Sequence, residues 1–520
     1  MDGINVYLAV LTNVDWIVIA LYAIGMLLVG IYYSRRNNNT EDYFLGGRRM
    51  KPLMVGLSLF ASLLSTISYL SYTGEMVRYG PMFITGALAF PFIIYIVGRF
   101  MIPKFMKLRV TSAYEILEDR LGLSIRLLGS FLFIMIRFFW MAVIIHTTTQ
   151  KIMVPVLGLA EEWVIPICVI MGLVTIIYTS LGGFRAVVFT DVVQSGILFF
   201  GGVLTVVLIA YEMGGVKEIW PQEWPAHWEK PNWGYDPDAR ITFVGIFLAV
   251  FCWHLCTAGS DQVVIQRYFA TRDVKAARKV LSINLIADFL AMVLMALVGI
   301  ALIAYFSANP GVFLENQNVI AENSKELINA DDIIMKSSDQ LFPMYITHGL
   351  PMGITGLVIS GLLAAAMSSL SSGMNSVSIV VVSDFISRLR NLKIDDKKKS
   401  IMARRVSVVV GVIAVILSLA VGQVEGNLFE VANKVVNLFV SPLFVLFFMA
   451  LFVKCSNTQG VWIGVLASMI TAISISFWKE ITGSEGISFL WIMPSAFIAG
   501  SLIGFISSLA FKKNLNLKRS

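Results

Sequence analysis

Charge is scarce in this chain. Of its 520 residues only 14% are charged while 57% are hydrophobic, and the mean hydropathy is +0.78, far from the roughly 25% charged content of a soluble domain. No stretch is left for a soluble catalytic domain. Cysteine is equally sparse: Cys168, Cys252, Cys256 and Cys455 lie inside or beside apolar runs, so no extracellular disulfide framework is expected. Cys252 and Cys256 share a helix face, yet a closed zinc site takes four ligands and no partners accompany them. The opening 1–16 lacks the basic region and small-residue cleavage site of a signal peptide, so the first apolar run is expected to remain as a helix. The net charge of +7 sits in short clusters between apolar runs rather than on one soluble face, which argues against a nucleic-acid partner and makes the clusters markers of topology.

What the chain does have is a succession of apolar runs, each long enough to cross a hydrocarbon core of roughly 30 Å. Backbone groups in lipid must pair within their own segment, so the runs are helices. The pattern predicts an all-α polytopic membrane protein of about thirteen transmembrane helices. A leading helix covers 15–34. Ten core helices follow near 53–76, 81–103, 124–154, 163–180, 186–211, 241–268, 280–306, 346–386, 403–424 and 428–453, with two more near 459–478 and 487–511. The stretch 346–386 is too long for one straight span, so part of it is expected to break or to continue outside the membrane.

Basic clusters set the orientation. Arg35, Arg36, Arg48, Arg49 and Lys51 follow the leading helix; Lys104, Lys107 and Arg109 follow the second core helix; Arg185 follows the fourth. Arg267, Arg272, Lys275, Arg278 and Lys279 follow the sixth, and Arg388, Arg390, Lys397, Lys398, Lys399, Arg404 and Arg405 follow the eighth. Two spans separate successive clusters, so all fall on one side, which the positive-inside rule makes cytoplasmic. The N-terminus is then outside and the C-terminus, with Lys512, Lys513, Lys518 and Arg519, inside an inner or plasma membrane. The Trp- and Pro-rich stretch 214–240 and the acidic stretch 307–345 suit the external face.

Three segments concentrate polar groups. The first core helix carries Ser58, Ser62, Ser65, Ser68 and Ser71 among small residues, and the eighth carries Ser368, Ser369, Ser371, Ser372 and Asn375. Such residues serve close helix packing, but they equally suit a broken helix whose hydroxyls and freed carbonyls replace the water of a hard cation. Asp191 in the fifth core helix is costly in lipid without a partner; Arg185 or a cation would serve. A membrane enzyme would need a converging nucleophile and base or metal set, and a channel repeated filter loops. Neither pattern is present in the sequence.

Five motifs, Tyr43-Phe-Leu-Gly-Gly47, Thr111-Ser-Ala-Tyr-Glu115, Thr190-Asp-Val-Val-Gln194, Asp261-Gln-Val-Val-Ile-Gln-Arg267 and the run 368–375, resemble the sodium/solute symporter family in order and spacing over essentially the whole chain. That resemblance implies a core of two five-helix inverted repeats, over 52–212 and 241–453, with binding sites at mid-membrane. The leading helix and its loop would occupy 1–51, an external loop 213–240, and two peripheral helices with the tail 454–520. It implies sodium-coupled import of a small organic solute by alternating access, with sodium as the coupling ion and no obligatory protein partner. The main sodium site would fall on the carbonyls of Ala61, Leu64 and Ala365 and the hydroxyls of Ser368 and Ser369. A second would use Asp191, Ser371 and Ser372.

The family's solute positions map onto Ser65, Ser68, Ala87, Phe90, His254, Asp288 and Lys434, with Arg137 or Trp140 in the third core helix where sialic acid carriers hold a carboxylate-binding arginine. The polar pair that sugar carriers place on the second core helix is absent, which weakens a hexose, and the cations Lys434, where sugar carriers place a glutamine, and Arg137 favour an organic anion or zwitterion. Competing structural roles are a Lys434–Asp288 pair, an Arg137–Glu75 pair and a hydrogen-bonded core role for His254.

Overall fold

The structure, a computed structural model, describes residues 11–35, 40–108, 110–309, 334–389, 395–421, 428–484 and 486–517. Of the sequence expectations, Arg36, Arg109, Arg390, Lys518, Arg519 and the part 310–333 of the acidic stretch lie outside those residues. The regular structure among the described residues is helical. Among those residues ten helices are long and apolar enough to cross a membrane, or eleven with one bent pair counted as a span.

In chain order the helices used below are α1 (Asn13–Ser34), α2 (Pro52–Leu63), α3 (Thr66–Tyr79), α4 (Leu123–Thr148), α5 (Val164–Glu212), α6 (Phe243–Ser260), α7 (Gln262–Phe269) and α8 (Val274–Ala308). They continue with α9 (Ile354–Val380), α10 (Asp396–Ala420), α11 (Leu428–Phe452), α12 (Thr458–Ser476) and α13 (Ile492–Leu517). A composite span over Pro81–Met106 lies between α3 and α4.

Three of the expected core stretches are interrupted, the eighth as its length implies. The first core helix is two pieces, α2 and α3, meeting at 69°; Leu64 is extended and Ser65 caps α3 by accepting from the Ser68 amide. The sixth is broken at Asp261, which leaves the helical region at ψ 125° and caps α7 through the Val263 amide. The stretch 346–386 resolves into a short helix, Leu341–His348, and a separate span beginning after Gly353. The fourth and fifth core helices follow each other without a loop as the 49 residues of α5, about 74 Å of helix at 1.5 Å per residue and more than twice a hydrocarbon core, and they divide where the sequence separates them. Gly183, at φ 63° and ψ −164°, supplies the kink.

The motifs that carry the family resemblance dock on one another. Gln262 accepts from the Ala113 amide at 2.7 Å and donates to the Thr111 carbonyl at 3.1 Å, and Gln266 donates to the Phe44 carbonyl at 2.6 Å and to Asn375 at 3.0 Å. Tyr43 donates to the Ser180 carbonyl at 3.1 Å. Buried polar groups need partners, and these segments supply each other's.

α1 is tied to the start of α9. Asp15, paired with Thr12 in a capping box, accepts from the amides of Gly353 and Gly356 at 2.8 Å each. A carboxylate at a helix N-terminus meets unsatisfied amides and the positive end of the dipole. The opposite face of α1, with Ile17, Leu21, Ile24 and Leu28, is exposed, as a lipid-facing surface requires. α12 and α13 pack tightly: a Cβ on Gly464 would lie 2.7 Å from the Gly500 carbonyl, so glycine permits the approach.

Gly183 lies in a backbone region open essentially to glycine alone, and an added Cβ would sit 2.6 Å from the Tyr43 ring and 3.0 Å from its carbonyl. Gly183→Ala is expected to cost about 2 kcal/mol or more, read as a lowered melting temperature of the purified chain in detergent.

Candidate functional site

The break between α2 and α3 leaves carbonyls without helical partners, and α9 brings hydroxyls to them. Ser368 Oγ lies 2.7 Å from the Ala61 carbonyl oxygen and 3.0 Å from that of Ala365. Ser369 Oγ lies 3.3 Å from the carbonyl oxygens of Ser62 and Leu64. All five groups expected at the main cation site therefore converge, with the Ser62 carbonyl beside them. The set is neutral oxygen throughout, the chemistry that dehydrates a hard monovalent cation without adding charge. The break is also anchored across the site, because Thr66 donates to the Leu362 carbonyl at 2.8 Å.

A second polar cluster lies next to the first. Asp191 Oδ2 accepts from Ser58 at 2.6 Å, Ser62 at 3.2 Å and Ser372 at 3.5 Å, and the Arg267 guanidinium reaches it at 3.2 Å. Arg267 also donates to the Ser58, Ser62 and Ser372 hydroxyls, and its side chain and that of Asp191 are 1% and 0% exposed. The partner of Asp191 is thus Arg267. Arg185 is elsewhere, donating to Asp42 at 2.6 Å and to the Gly46 carbonyl at 3.1 Å. Ser371 does not join the cluster: its hydroxyl donates to the Ser368 carbonyl at 3.1 Å. Ser62 belongs to both clusters, its carbonyl facing Ser369 and its hydroxyl facing Asp191 and Ser372.

Beside these clusters is a cavity of about 160 Å³, whose wall includes Ser62 and Leu64. α3 contributes Ser68, Ser71 and Tyr72; α4 Arg137 and Trp140; α6 Trp253, His254 and Thr257. Asp261 at the α6 break, Asn284 and Asp288 on α8, and Phe429, Asn433 and Asn437 on α11 complete the polar and aromatic wall. Arg137 forms a buried ion pair with Asp261. His254 Nε2 is 3.5 Å from Asp288 Oδ2.

Of the expected solute residues, Ser68, Arg137, Trp140, His254 and Asp288 line this cavity. Ser65 caps α3 instead. Phe90 stands behind the wall, its ring edge-on to His254 at 4.9 Å, and Ala87 is not among the lining residues. Lys434 requires correction: it lies outside the lining and pairs with Glu430 on its own helix at 2.9 Å, with both side chains more than a third exposed. A lysine four residues from a glutamate and within reach of water has no need of a solute carboxylate or of Asp288. The alternative partner for Arg137, Glu75, is held by Arg240.

A model of the sodium:solute symporter family matches residues 43–468. The chain belongs to this family. Among known symporters it is similar to the sodium/sialic acid symporter NanT of Aliivibrio fischeri, 28% identical over 97% of this chain and 94% of that one. It is also similar to the sodium/sialic acid symporter SiaT of Proteus mirabilis, 29% identical over 90% of each. A solved substrate-bound, outward-open sodium-coupled sialic acid symporter superposes with a TM-score of 0.79 at 27% identity, covering 96% of this chain and 98% of that one.

For a symporter of this family, the sequence reading missed Arg267, counting it with the basic residues flanking the sixth core helix. The available signal was weak: the apolar run Val263, Val264 and Ile265 lies just before Arg267, but Gln266 separates them and makes the segment read as the polar end of a span. It also missed Ser58 and Ser62 as partners of Asp191. Their spacing from one another is one helical turn, but nothing in the sequence says which helix they face.

Asp191→Asn leaves the Arg267 guanidinium buried among hydroxyls without a counter-charge. It is expected to cost about 3 to 5 kcal/mol, whereas Asp191→Asn with Arg267→Gln recovers much of the loss. Thermal unfolding of the three variants in detergent checks both.

Proposed function

We propose that the chain is a sodium-coupled symporter that imports a small organic solute by alternating access. The observation that carries this reading is the convergence of the Ala61, Leu64 and Ala365 carbonyls with the Ser368 and Ser369 hydroxyls at a helix break bordering a cavity. Sodium enters first between α2 and α9 and takes those oxygens as ligands. Bound there, it fixes the break, and with it the Leu64 and Ser68 walls of the cavity. Solute then closes the outer side, and loss of sodium to the cytoplasm releases it inward. One sodium moving down about 100 mV and a tenfold gradient supplies roughly 2.3 plus 1.4 kcal/mol, or roughly 500-fold accumulation of a neutral solute.

The Arg267 guanidinium at Asp191 supports a cycle of one sodium. A second sodium at Asp191, Ser371 and Ser372 is the alternative, and a reversal potential that shifts with two sodium ions per solute would select it. Arg137 in the cavity wall favours an organic acid or zwitterion over the alternative of a sugar. With transport carried by these elements, the chain acts on its solute without bond chemistry and works as a single polypeptide. The breaks at Leu64 and Asp261, one in each half, fit inverted repeats over 52–212 and 241–453 within a thirteen-span inner-membrane protein. Its N-terminus is then outside, 213–240 forms an external loop, 454–520 supplies the peripheral helices, and the C-terminus is cytoplasmic.

Ser368→Ala combined with Ser369→Ala removes two of five oxygens from a site with no charge to compensate. Uptake into proteoliposomes should lose its dependence on the sodium gradient while the folded fraction holds. Uptake by the double variant that still tracks sodium would overturn the placement.

A further inference from the structure

Among the described residues the buried acids have short, direct partners, and one largely enclosed acid of the cavity wall does not. Asp15 accepts two amides at 2.8 Å, Asp191 accepts Ser58 at 2.6 Å, and Asp384 accepts Ser112 and Ser130 at 2.7 Å each. Glu75 takes Arg240, and Asp261 takes Arg137 and the Val263 amide. Asp288, in the middle of α8 and 14% exposed, has no such bond among the described residues. Its nearest ionic partner is His254 at 3.5 Å, at the outer limit of a hydrogen bond. Leaving a carboxylate in this state inside a membrane-spanning helix is costly unless something else supplies positive charge.

The rest of the cavity wall indicates what that is. Arg137, also in the wall, has a counter-ion in Asp261, so the ion pair adds no net charge, but its Nε has no hydrogen-bond partner among the described residues and can still donate to a solute carboxylate. Asp288 is therefore the cavity-wall acid that no short bond answers among the described residues, and a cation arriving beside it would offset the burial that otherwise opposes its ionisation. Around it stand the rings of Tyr72, Trp140, Trp253 and Phe429, and aromatic faces attract ammonium groups more strongly where water is excluded. A carboxylate among aromatic rings recognises an amine, and is a poor place for a second carboxylate.

We propose that the solute carries a protonated amine and that Asp288 is the group that receives it, so that the site takes a small zwitterion with its ammonium on α8 and its carboxylate toward Arg137 on α4. This rests on the symporter reading and narrows its substrate class. His254, packed edge-on to Phe90 and Trp253, holds the carboxylate in place until the amine arrives. An amine-free organic acid would use the Arg137 end alone and leave Asp288 without a solute partner, so it is not the preferred cargo.

The test uses the purified full chain in saturating sodium and three matched sets of probes, with binding read by calorimetry. The sets are alanine, propionate and ethylamine; proline, cyclopentanecarboxylate and pyrrolidine; phenylalanine, 3-phenylpropionate and phenethylamine. In at least one set the zwitterion should bind tenfold or more tightly than its amine-free acid, and N-acetylation should abolish that advantage. Asp288→Asn should remove the same advantage while leaving stabilisation by sodium alone unchanged. The probe comparison on the unaltered protein stands even if that variant fails to fold. Equal binding of an acid and its zwitterion, or no binding by any amine-bearing probe in a protein that sodium stabilises, overturns the proposal. Amine-dependent binding without any effect of sodium would retain Asp288 and overturn the coupling instead.

Discussion

A helix inside a membrane cannot stop without leaving backbone groups unpaired, and lipid offers them nothing. The break between α2 and α3 is therefore possible only because another element answers it. α9 does so with Ser368 and Ser369, and its Leu362 carbonyl holds the Thr66 hydroxyl beside the break. Those contacts fix the separation of two helices, and the cavity wall and the oxygen cage follow from it. The same serines that repair the broken backbone are the groups able to give way to a cation. Structural repair and ion recognition thus draw on one set of atoms.

The charged groups of the interior follow a second constraint. A buried pair gains little over apolar packing, but a buried single charge is severely unfavourable. Arg267 with Asp191, Arg137 with Asp261, Arg126 with Asp384 and Arg240 with Glu75 each join segments distant in sequence. Each pair thereby fixes a register between helices that apolar contacts alone would leave free to slide. Ser62 adds a link between two such systems, since its main chain faces one and its side chain the other.

The sequence made the helices, their approximate limits and the main oxygen cage legible. Periodic apolar runs report spans directly, and a dense run of serines has few other uses at that depth. Partner choice was not legible. Asp191 looks toward Arg185 along its own helix, but α5 carries Arg185 past the Gly183 kink to Asp42, and Arg267 arrives from α7. Lys434 reads as buried only if its helix is assumed to face the core there; the structure turns it toward Glu430 and water. Pairings across the fold depend on helix rotation, which a few degrees can change and which one-dimensional spacing does not encode. Breaks were legible where hydroxyls crowd, as at Ser65, and hidden where a single Asp261 does the capping.

The clamp that Asp15 places on the first turn of α9 gives that helix a fixed end. Ser368 lies fourteen residues beyond Ile354, about 21 Å along the axis. A rigid rod pinned at Gly353 and Gly356 and tilted by about 10° would sweep Ser368 sideways by about 4 Å. That exceeds the 2.7 Å separating its hydroxyl from the Ala61 carbonyl. The leading helix is in this sense the fulcrum of a lever whose far arm carries the hydroxyls of the candidate cation cage.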